Sequence, residues 1–262
     1  MADGTVLTIL QEKGGVGKSI ATMNIAYYLS RNNKVLVIDL DGQAADITYY
    51  MLGNIVANTR ADIMTIIDVF RGKATIEDVI IPVQINLDII PANVDVANLS
   101  QIDKISTFKE NIKKLKEVYD YIMIDVTPSP TWAHLLALSS PGQQVIPIIN
   151  ADAASLKALV SLNTSVQEVL ETTNPTAEYL GIIVNRFDGR TNISKEIVSK
   201  ASSIAEQLGT SLFKTRIRQS VTLGEQTISH ASIFDYAPGS SAAKDYENLG
   251  KEIIERLNAR RI

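Results

Sequence analysis

Glu12-Lys-Gly-Gly-Val-Gly-Lys-Ser19 packs three glycines, two lysines and a hydroxyl into eight residues. Gly17, Lys18 and Ser19 complete the pattern G-x-x-x-x-G-K-[ST], a loop whose backbone N–H groups can surround phosphate oxygens. The glycine that normally opens the pattern is Glu12 here, and a lysine, Lys13, follows it directly. Thr5–Gln11 is a short apolar, β-rich run, and the residues from Ile20 to Ser30 read as a helix. The loop therefore joins a strand to a helix N-terminus, where the helix dipole favours anions. A plain glycine-rich turn is the alternative, and the flanking elements argue against it. The pattern implies a nucleoside triphosphate as ligand.

Two further segments place acids at strand ends. Val35-Leu-Val-Ile-Asp-Leu-Asp-Gly-Gln43 brings Asp39 and Asp41 to the close of a buried strand, where the ligand edge of a parallel sheet lies. Such a pair can serve Mg²⁺ or orient an attacking water. The weaker alternative is that Asp41 caps a helix beginning near Ala44. Tyr119-Asp-Tyr-Ile-Met-Ile-Asp-Val-Thr-Pro-Ser129 is another apolar strand, ending in Asp125, with the shape of a Walker B element.

A repeating scaffold must hold these segments. Strand-like runs occur at Thr5–Leu10, Lys34–Asp39, Asn86–Ile90, Tyr121–Asp125, Gln144–Ile149, Tyr179–Asn185 and Leu212–Thr215. Most are continuous rather than alternating in apolarity, as strands covered on both faces require. Helical patterns fill the gaps at Ala21–Ser30, Ile63–Phe70, Phe108–Val118, Ala154–Leu170, Lys195–Leu208 and Ala242–Leu257. The alternation predicts an α/β fold, a doubly wound and mostly parallel sheet with helices on both faces. Asn174–Pro175 and Ala237-Pro-Gly239 read as turns. With no long linker, repeat or low-complexity tract, residues 1–262 are expected to form one domain without a separate helix-turn-helix extension.

Composition narrows the chemistry. Hydrophobic residues make up 45% and charged residues 21%, enough for a core and against disorder. The net charge of −4 argues against coating nucleic acid by bulk positive charge. The charge is uneven: from Arg186 onward there are 12 basic and 9 acidic residues, and before it 13 and 20. That tilt fits a C-terminal third facing a polyanion and fits ordinary fluctuation equally well. Cysteine is absent and only His134 and His230 are present, which removes disulfides, thiolate chemistry and histidine-rich metal sites. The N-terminal residues lack a secretory pattern and no apolar run is long enough to span a bilayer, so a cytosolic protein is expected.

Lys13-Gly-Gly-Val-Gly-Lys-Ser19, Ile38-Asp-Leu-Asp-Gly-Gln43 and Tyr121-Ile-Met-Ile-Asp-Val-Thr-Pro-Ser129, in that order, resemble the deviant Walker A ATPases of the ParA/MinD family, the ParA type most closely. The likeness runs over nearly the whole chain. Gly181-Ile-Ile-Val-Asn-Arg-Phe-Asp-Gly-Arg-Thr191 is similar to the family's segment near the adenine, and Ile217–Pro238 with Ser240–Glu252 to its C-terminal part. The resemblance implies a P-loop ATPase using ATP and Mg²⁺. Lys18 would contact the β- and γ-phosphates, within a nucleotide site of Gly14, Gly15, Val16, Gly17, Lys18, Ser19 and Ile20. Ser19 would ligate Mg²⁺, supported by Asp39 and Asp125. Asp41 would orient the hydrolytic water, and Asn185 would meet the adenine. Lys13 is implied to cross a dimer interface to the partner's ATP phosphates.

Some positions depart from the family pattern. Gly42 stands where proline is frequent, Ile20 where threonine is common, and Asp125-Val-Thr-Pro replaces Asp-Thr-Pro-Pro. In Ile217-Arg-Gln-Ser-Val-Thr-Leu-Gly-Glu225, Gln219 and Thr222 occupy two usual arginine positions. The resemblance implies a partition ATPase: an ATP-dependent sandwich homodimer binds DNA without sequence preference on the nucleoid, and a ParB-like partner stimulates hydrolysis to segregate plasmid or chromosome. Candidate DNA contacts are Arg186, Arg190, Lys195, Lys200, Arg216 and Arg218. Alternatives are positioning of an organelle or protein cargo, MinD-like membrane positioning, and a metabolic ATP-dependent ligase on the same fold. The tail Ile253–Ile262 has few apolar residues, which fits a helix packed on the domain rather than one lying in a bilayer.

Overall fold

The computed structural model describes residues 3–41, 46–58, 63–93, 104–129, 132–174 and 176–260. Gly42, Gln43, the expected helix start near Ala44, Pro175 and the last two residues of the tail lie outside that set. The chain runs β1 (Thr5–Leu10), α1 (Lys18–Leu29), β2 (Val35–Leu40), α2 (Asp46–Asn58), α3 (Ile66–Phe70), β3 (Ile81–Gln84) and β4 (Leu87–Ile90). It continues with α4 (Lys104–Lys116), β5 (Tyr121–Val126), α5 (Trp132–Leu138), β6 (Gln143–Asn150), α6 (Ala153–Thr173) and β7 (Glu178–Tyr179). The last part is β8 (Ile182–Phe187), α7 (Asn192–Gln207), β9 (Leu212–Arg218), α8 (Thr222–Ile228), α9 (Ile233–Tyr236) and α10 (Ser241–Arg260).

The strands form one sheet in the order β3-β4-β2-β5-β1-β6-β8-β9, with β7 beside β6. All pairings are parallel except β3 with β4, so the expected mostly parallel sheet is what forms. β1, β2 and β5 are buried along their whole length, because helices cover both faces of the central sheet. One face carries Leu7, Ile9, Val35, Val37 and Met123 under α1, α2 and α8–α10. The other carries Val6, Leu36, Ile38, Ile122 and Ile124 under α3–α6. A satellite core of Ile149, Ile182, Val184 and Leu212 lies under α6 and α7. The period of two along each strand thus feeds two separate cores.

Several elements differ from the sequence expectation. β3 was not anticipated: it is an antiparallel edge strand closed by a tight turn, with Asn86 at φ 63°. The run Tyr179–Asn185 divides into β7 and β8, and Leu212–Thr215 extends to Arg218. β9 sits at the sheet edge, where Lys214 and Arg218 are exposed and an unbroken apolar pattern is not needed. The short helices α5, α8 and α9 are too brief to show a helical period.

α10 has its apolar stripe committed to the domain. Ala242, Tyr246, Leu249, Ile253 and Leu257 are buried in the core. Arg256 donates to the carbonyls of Leu180 (3.0 Å) and Leu212 (2.7 Å) and lies 4.2 Å over the Phe213 ring. Arg260 donates to the Tyr179 carbonyl (2.7 Å) and pairs with Glu178 (3.0 Å). Among the described residues, no helix is long and apolar enough to cross a membrane.

Candidate functional site

The phosphate loop hangs between β1 and α1 on two glycines. Gly15 and Gly17 have φ of 71° and 93°, which side chains with a Cβ rarely adopt. Gly17 is doubly constrained, since a Cβ there would stand 2.7 Å from Asn185 Nδ2. Gln11, buried at the end of β1, fixes the loop's start by donating to the Ile148 carbonyl (3.1 Å) and accepting from the Glu12 amide (2.9 Å). α1 begins at Lys18, three residues before the apolar pattern indicated, so Lys18 and Ser19 occupy its first turn beside the exposed amides.

Asp39 and Asp125 stand directly opposite each other on the neighbouring strands β2 and β5. Both are fully buried. Asp39 accepts from the Asp41 amide (2.8 Å) at one oxygen and from the Thr48 hydroxyl (2.6 Å) and amide (3.2 Å) at the other. Asp125 accepts from the Thr22 hydroxyl at 3.4 Å, and its Oδ2 has no partner among the described residues. Burial pushes Asp39 up to about 8, with the neighbouring Asp125 charge adding to the effect. Burial likewise pushes Asp125 up to about 7, opposed by the Ser19 hydroxyl and the Lys18 ammonium. Lys18 is itself buried, and desolvation lowers its pKa against the pull of Asp125, Asp41 and Asp46.

This donor set fits a divalent cation. Asp125 Oδ2 is a buried carboxylate oxygen with no partner among the described residues, and added positive charge beside it would offset the burial that disfavours its ionised form. Among the described residues, no three acidic or histidine side chains form a cage of their own. Mg²⁺ needs few protein ligands, because it keeps waters and takes oxygens from bound phosphates.

Asn185 closes the loop from the far side. Its Nδ2 donates to the Val16 carbonyl (2.7 Å), and its Oδ1 is buried without a partner among the described residues. A free acceptor there suits an exocyclic amine. Asn185 is also one of the residues lining a cleft of about 640 Å³, together with Gly17, Ile20, Arg186, Gln219, Leu223 and Ile228. Ser19, Asp39, Asp41 and Asp125 come together with Lys18 at the sheet's carboxyl edge, as the sequence predicts. The expected capping of a helix by Asp41 falls on residues 42–45, outside the described set.

Lys13 is engaged at the start of α6. Its ammonium bonds both carboxylate oxygens of Asp152 at 3.0 Å and the Ser155 hydroxyl at 3.4 Å. Asp152 caps α6 by accepting from the Ser155 amide at 2.7 Å. Burial opposes its charge, but that amide and Lys13 bring its carboxyl below the usual range. Glu12 accepts from the Ser165 hydroxyl (2.8 Å), so both residues that make the loop atypical are moored to α6.

The six basic candidates separate into groups. Arg186, Arg190 and Arg218 gather at the mouth of the cleft, around Phe187, Asp188, Gly189 and Gln219. Arg190 pairs with Asp188 (2.8 Å) and Arg218 with Asp245 (2.6 Å). Lys200 pairs with Glu196 (2.6 Å) along α7, and Lys195 is exposed near the start of that helix. Arg216 is partly buried, and its Nη1 has no partner among the described residues. Arg186 holds φ of 51° where the β8–β9 register shifts, a bulge that re-aims its side chain.

Sequence reasoning missed Thr22, Thr48 and Asp152. Thr22 lies four residues after Lys18 on α1's inner face, a spacing that was available to find it. Asp152-x-x-Ser155 is readable as a helix cap, but nothing local joins it to Lys13.

The AAA domain family matches residues 4–179. The chromosome-partitioning ATPase Soj of Treponema pallidum is 29% identical over 262 residues, covering 97% of this chain and 98% of that protein. A Borrelia burgdorferi B31 protein assigned to plasmid partition and bound to AMPPNP is 27% identical with a TM-score of 0.76, over 98% of this chain and 99% of that one. The septum site-determining protein MinD of Pyrococcus horikoshii OT3, complexed with Mg-ADP, is 25% identical with a TM-score of 0.75, over 95% and 96%.

Proposed function

The chain belongs to the AAA domain family and, within it, to the ParA/MinD ATPases, closest to the ParA type; from that premise we propose that it is a partition ATPase working as an ATP-gated dimer on DNA. It hydrolyses ATP to ADP and phosphate with Mg²⁺. Lys18 and the amides of residues 14–19 hold the phosphates and offset their charge as it shifts during transfer. Ser19, Asp125 and Asp39 would hold the cation, which would supply charge neutralisation during transfer. Asp41, tied by its amide to Asp39, orients the attacking water. Asn185 Oδ1 accepts from the adenine amine.

The observation that carries the dimer reading is Lys13. Its ammonium turns outward to Asp152, and the pair is partly solvent-accessible, at 34% and 42% of the side chains. A lysine that serves only its own loop would face its own phosphate pocket. Exchange of Asp152 for a partner's ATP phosphates gives ATP a higher affinity for the dimer than for the monomer, as a nucleotide switch requires. The cluster of Arg186, Arg190 and Arg218 beside the cleft supports a nucleotide-dependent grip on the DNA backbone. α10 supports the same choice over a membrane, since its apolar face is buried.

A salt series of DNA binding with ATP, ADP and no nucleotide tests the proposal. Lys18→Ala should lose nucleotide-dependent binding. Lys13→Ala should lose ATP-dependent dimerisation and DNA binding while retaining ATP affinity. Equal dimerisation by wild type and Lys13→Ala, or DNA binding that is absent or indifferent to salt, overturns it. Positioning of a protein cargo on the nucleoid uses the same chemistry. A ligase reading predicts turnover that DNA does not stimulate.

A further inference from the structure

Two features distant from the phosphate loop meet at His230. Gly53, in the second turn of α2, has no room for a side chain: a Cβ there would stand 2.0, 2.2 and 2.5 Å from Cε1, Nδ1 and Nε2 of His230. His230 itself holds φ of 50°, a backbone state that most residues with a Cβ avoid. Its Nδ1 lies 3.0 Å from the Tyr49 carbonyl. A carbonyl only accepts, so Nδ1 carries the proton. The imidazole also meets the Tyr49 ring edge-on, with centroids 4.7 Å apart at 82°. The ring is thus inserted against α2 from a turn that belongs to the C-terminal part of the chain.

Both sides of this wedge lead to the nucleotide site. On the α2 side, Thr48 precedes the gripped Tyr49 peptide and clamps Asp39 through its hydroxyl (2.6 Å) and amide (3.2 Å). The same hydroxyl accepts from the Ala92 amide at 3.0 Å, so the position of Thr48 is tightly specified. On the other side, the wedge follows α8, whose Leu223, Gly224, Thr227 and Ile228 help line the cleft beside Asn185. The segment after it is pinned to α1, where Asn24 accepts from the Ile233 amide at 2.9 Å. His230 therefore projects from a fixed base onto the helix that sets the carboxylate edge.

We propose that His230 is a positioning residue for ATP hydrolysis: it ties the wall of the base cleft to α2 and so holds Thr48 against Asp39. The inference rests on the reading of Asp39 and Asp41 as the hydrolytic edge. Asparagine tests it well, because its amide nitrogen sits near the place of Nδ1 and it tolerates positive φ. Gly53→Ala is the complementary probe. In a helix alanine is otherwise preferred over glycine, so a loss there comes from collision with the ring.

The experiment measures kcat, ATP Kd and melting temperature for wild type, His230→Ala, His230→Asn, Gly53→Ala and the double variant Gly53→Ala/His230→Ala, with Asp41→Ala as control. His230→Ala is expected to lower kcat roughly three- to tenfold, the rate equivalent of one hydrogen bond. ATP Kd should move by less than about twofold, and His230→Asn should recover most of the rate. Gly53→Ala should lose rate as well, and the double variant should be no worse than Gly53→Ala alone. Unchanged kcat in His230→Ala, or His230→Asn as slow as His230→Ala, overturns the proposal. If His230→Ala does not fold, Gly53→Ala decides: a lower kcat at unchanged Kd supports the wedge, and wild-type kcat removes it. Normal hydrolysis by Asp41→Ala would instead refute the assignment of the hydrolytic edge, a failure distinct from that of the wedge.

Discussion

The carboxyl edge of β1, β2 and β5 and the rim around β8, β9 and α7 both collect charged residues, under opposite physical conditions. At the central edge Lys18, Asp39 and Asp125 are buried, and Asp125 keeps an oxygen without a partner among the described residues. At the rim Arg190, Lys200 and Arg218 are exposed and each already has a carboxylate. Buried charges interact strongly and are costly to leave uncompensated, so they fix one ligand in one pose. Exposed paired charges contribute weakly and are screened, so they suit a partner gripped by its backbone and released easily.

Substitutions should therefore have steep effects at the centre and graded ones at the rim. The largest is expected for Lys18→Ala, which removes the ammonium proposed to bind two phosphates. ATP affinity should fall by about a hundredfold or more, measured with a fluorescent ATP analogue. A fall of only a few-fold would place the rim and the centre on the same footing.

Next comes pH. Asp39 and Asp125 are held near 8 and 7, above the ordinary 3.8, so the folded protein retains protons that the unfolded chain has released. Their contribution to stability is full below about pH 4 and is lost as pH rises through 7 to 8. Binding of Mg-ATP requires the ionised forms and should run the other way, weakening by up to about tenfold per proton per pH unit below 7. Calorimetry in buffers of different ionisation enthalpy should register proton release on binding at neutral pH. No release there would mean that the centre is already charge-balanced.

Asp152→Ala lies between the two regimes. It removes the α6 cap, at a cost of about 1 kcal/mol, yet it frees Lys13. ATP-dependent dimerisation should strengthen while thermal stability falls, the reverse of the dimerisation change in Lys13→Ala. Sedimentation velocity with and without ATP reads both. The smallest effects belong to the rim. Arg186→Ala and Arg218→Ala should each lower the slope of log K against log salt for DNA by about one. ATP turnover without DNA should be unchanged in Arg218→Ala, which sharpens the separation between grip and chemistry.

The central edge was legible in the sequence because its elements are local. Lys18 and Ser19 follow a glycine loop, and Asp39 and Asp125 close unbroken apolar strands, so order along the chain was enough to bring them together. The rim was less legible. β9 carries alternating charge, the run before β8 hides a break after Tyr179, and α8 and α9 are too short to display a period. The sequence also could not show which cations are engaged: Asp188, Glu196 and Asp245 pair with three of the six candidates.

By itself, the sequence determined the parallel α/β plan, the phosphate loop, the acids at the sheet edge and the family that uses them. These rest on periodicity and on residues adjacent in the chain, which local sterics and hydrophobic burial control. Only the tertiary structure decided where Lys13 rests, which oxygens of Asp39, Asp125 and Asn185 are committed, and that His230 reaches Gly53. Those contacts join residues more than a hundred positions apart in most cases, and the packing of helices on the sheet, rather than any local preference, sets their distances.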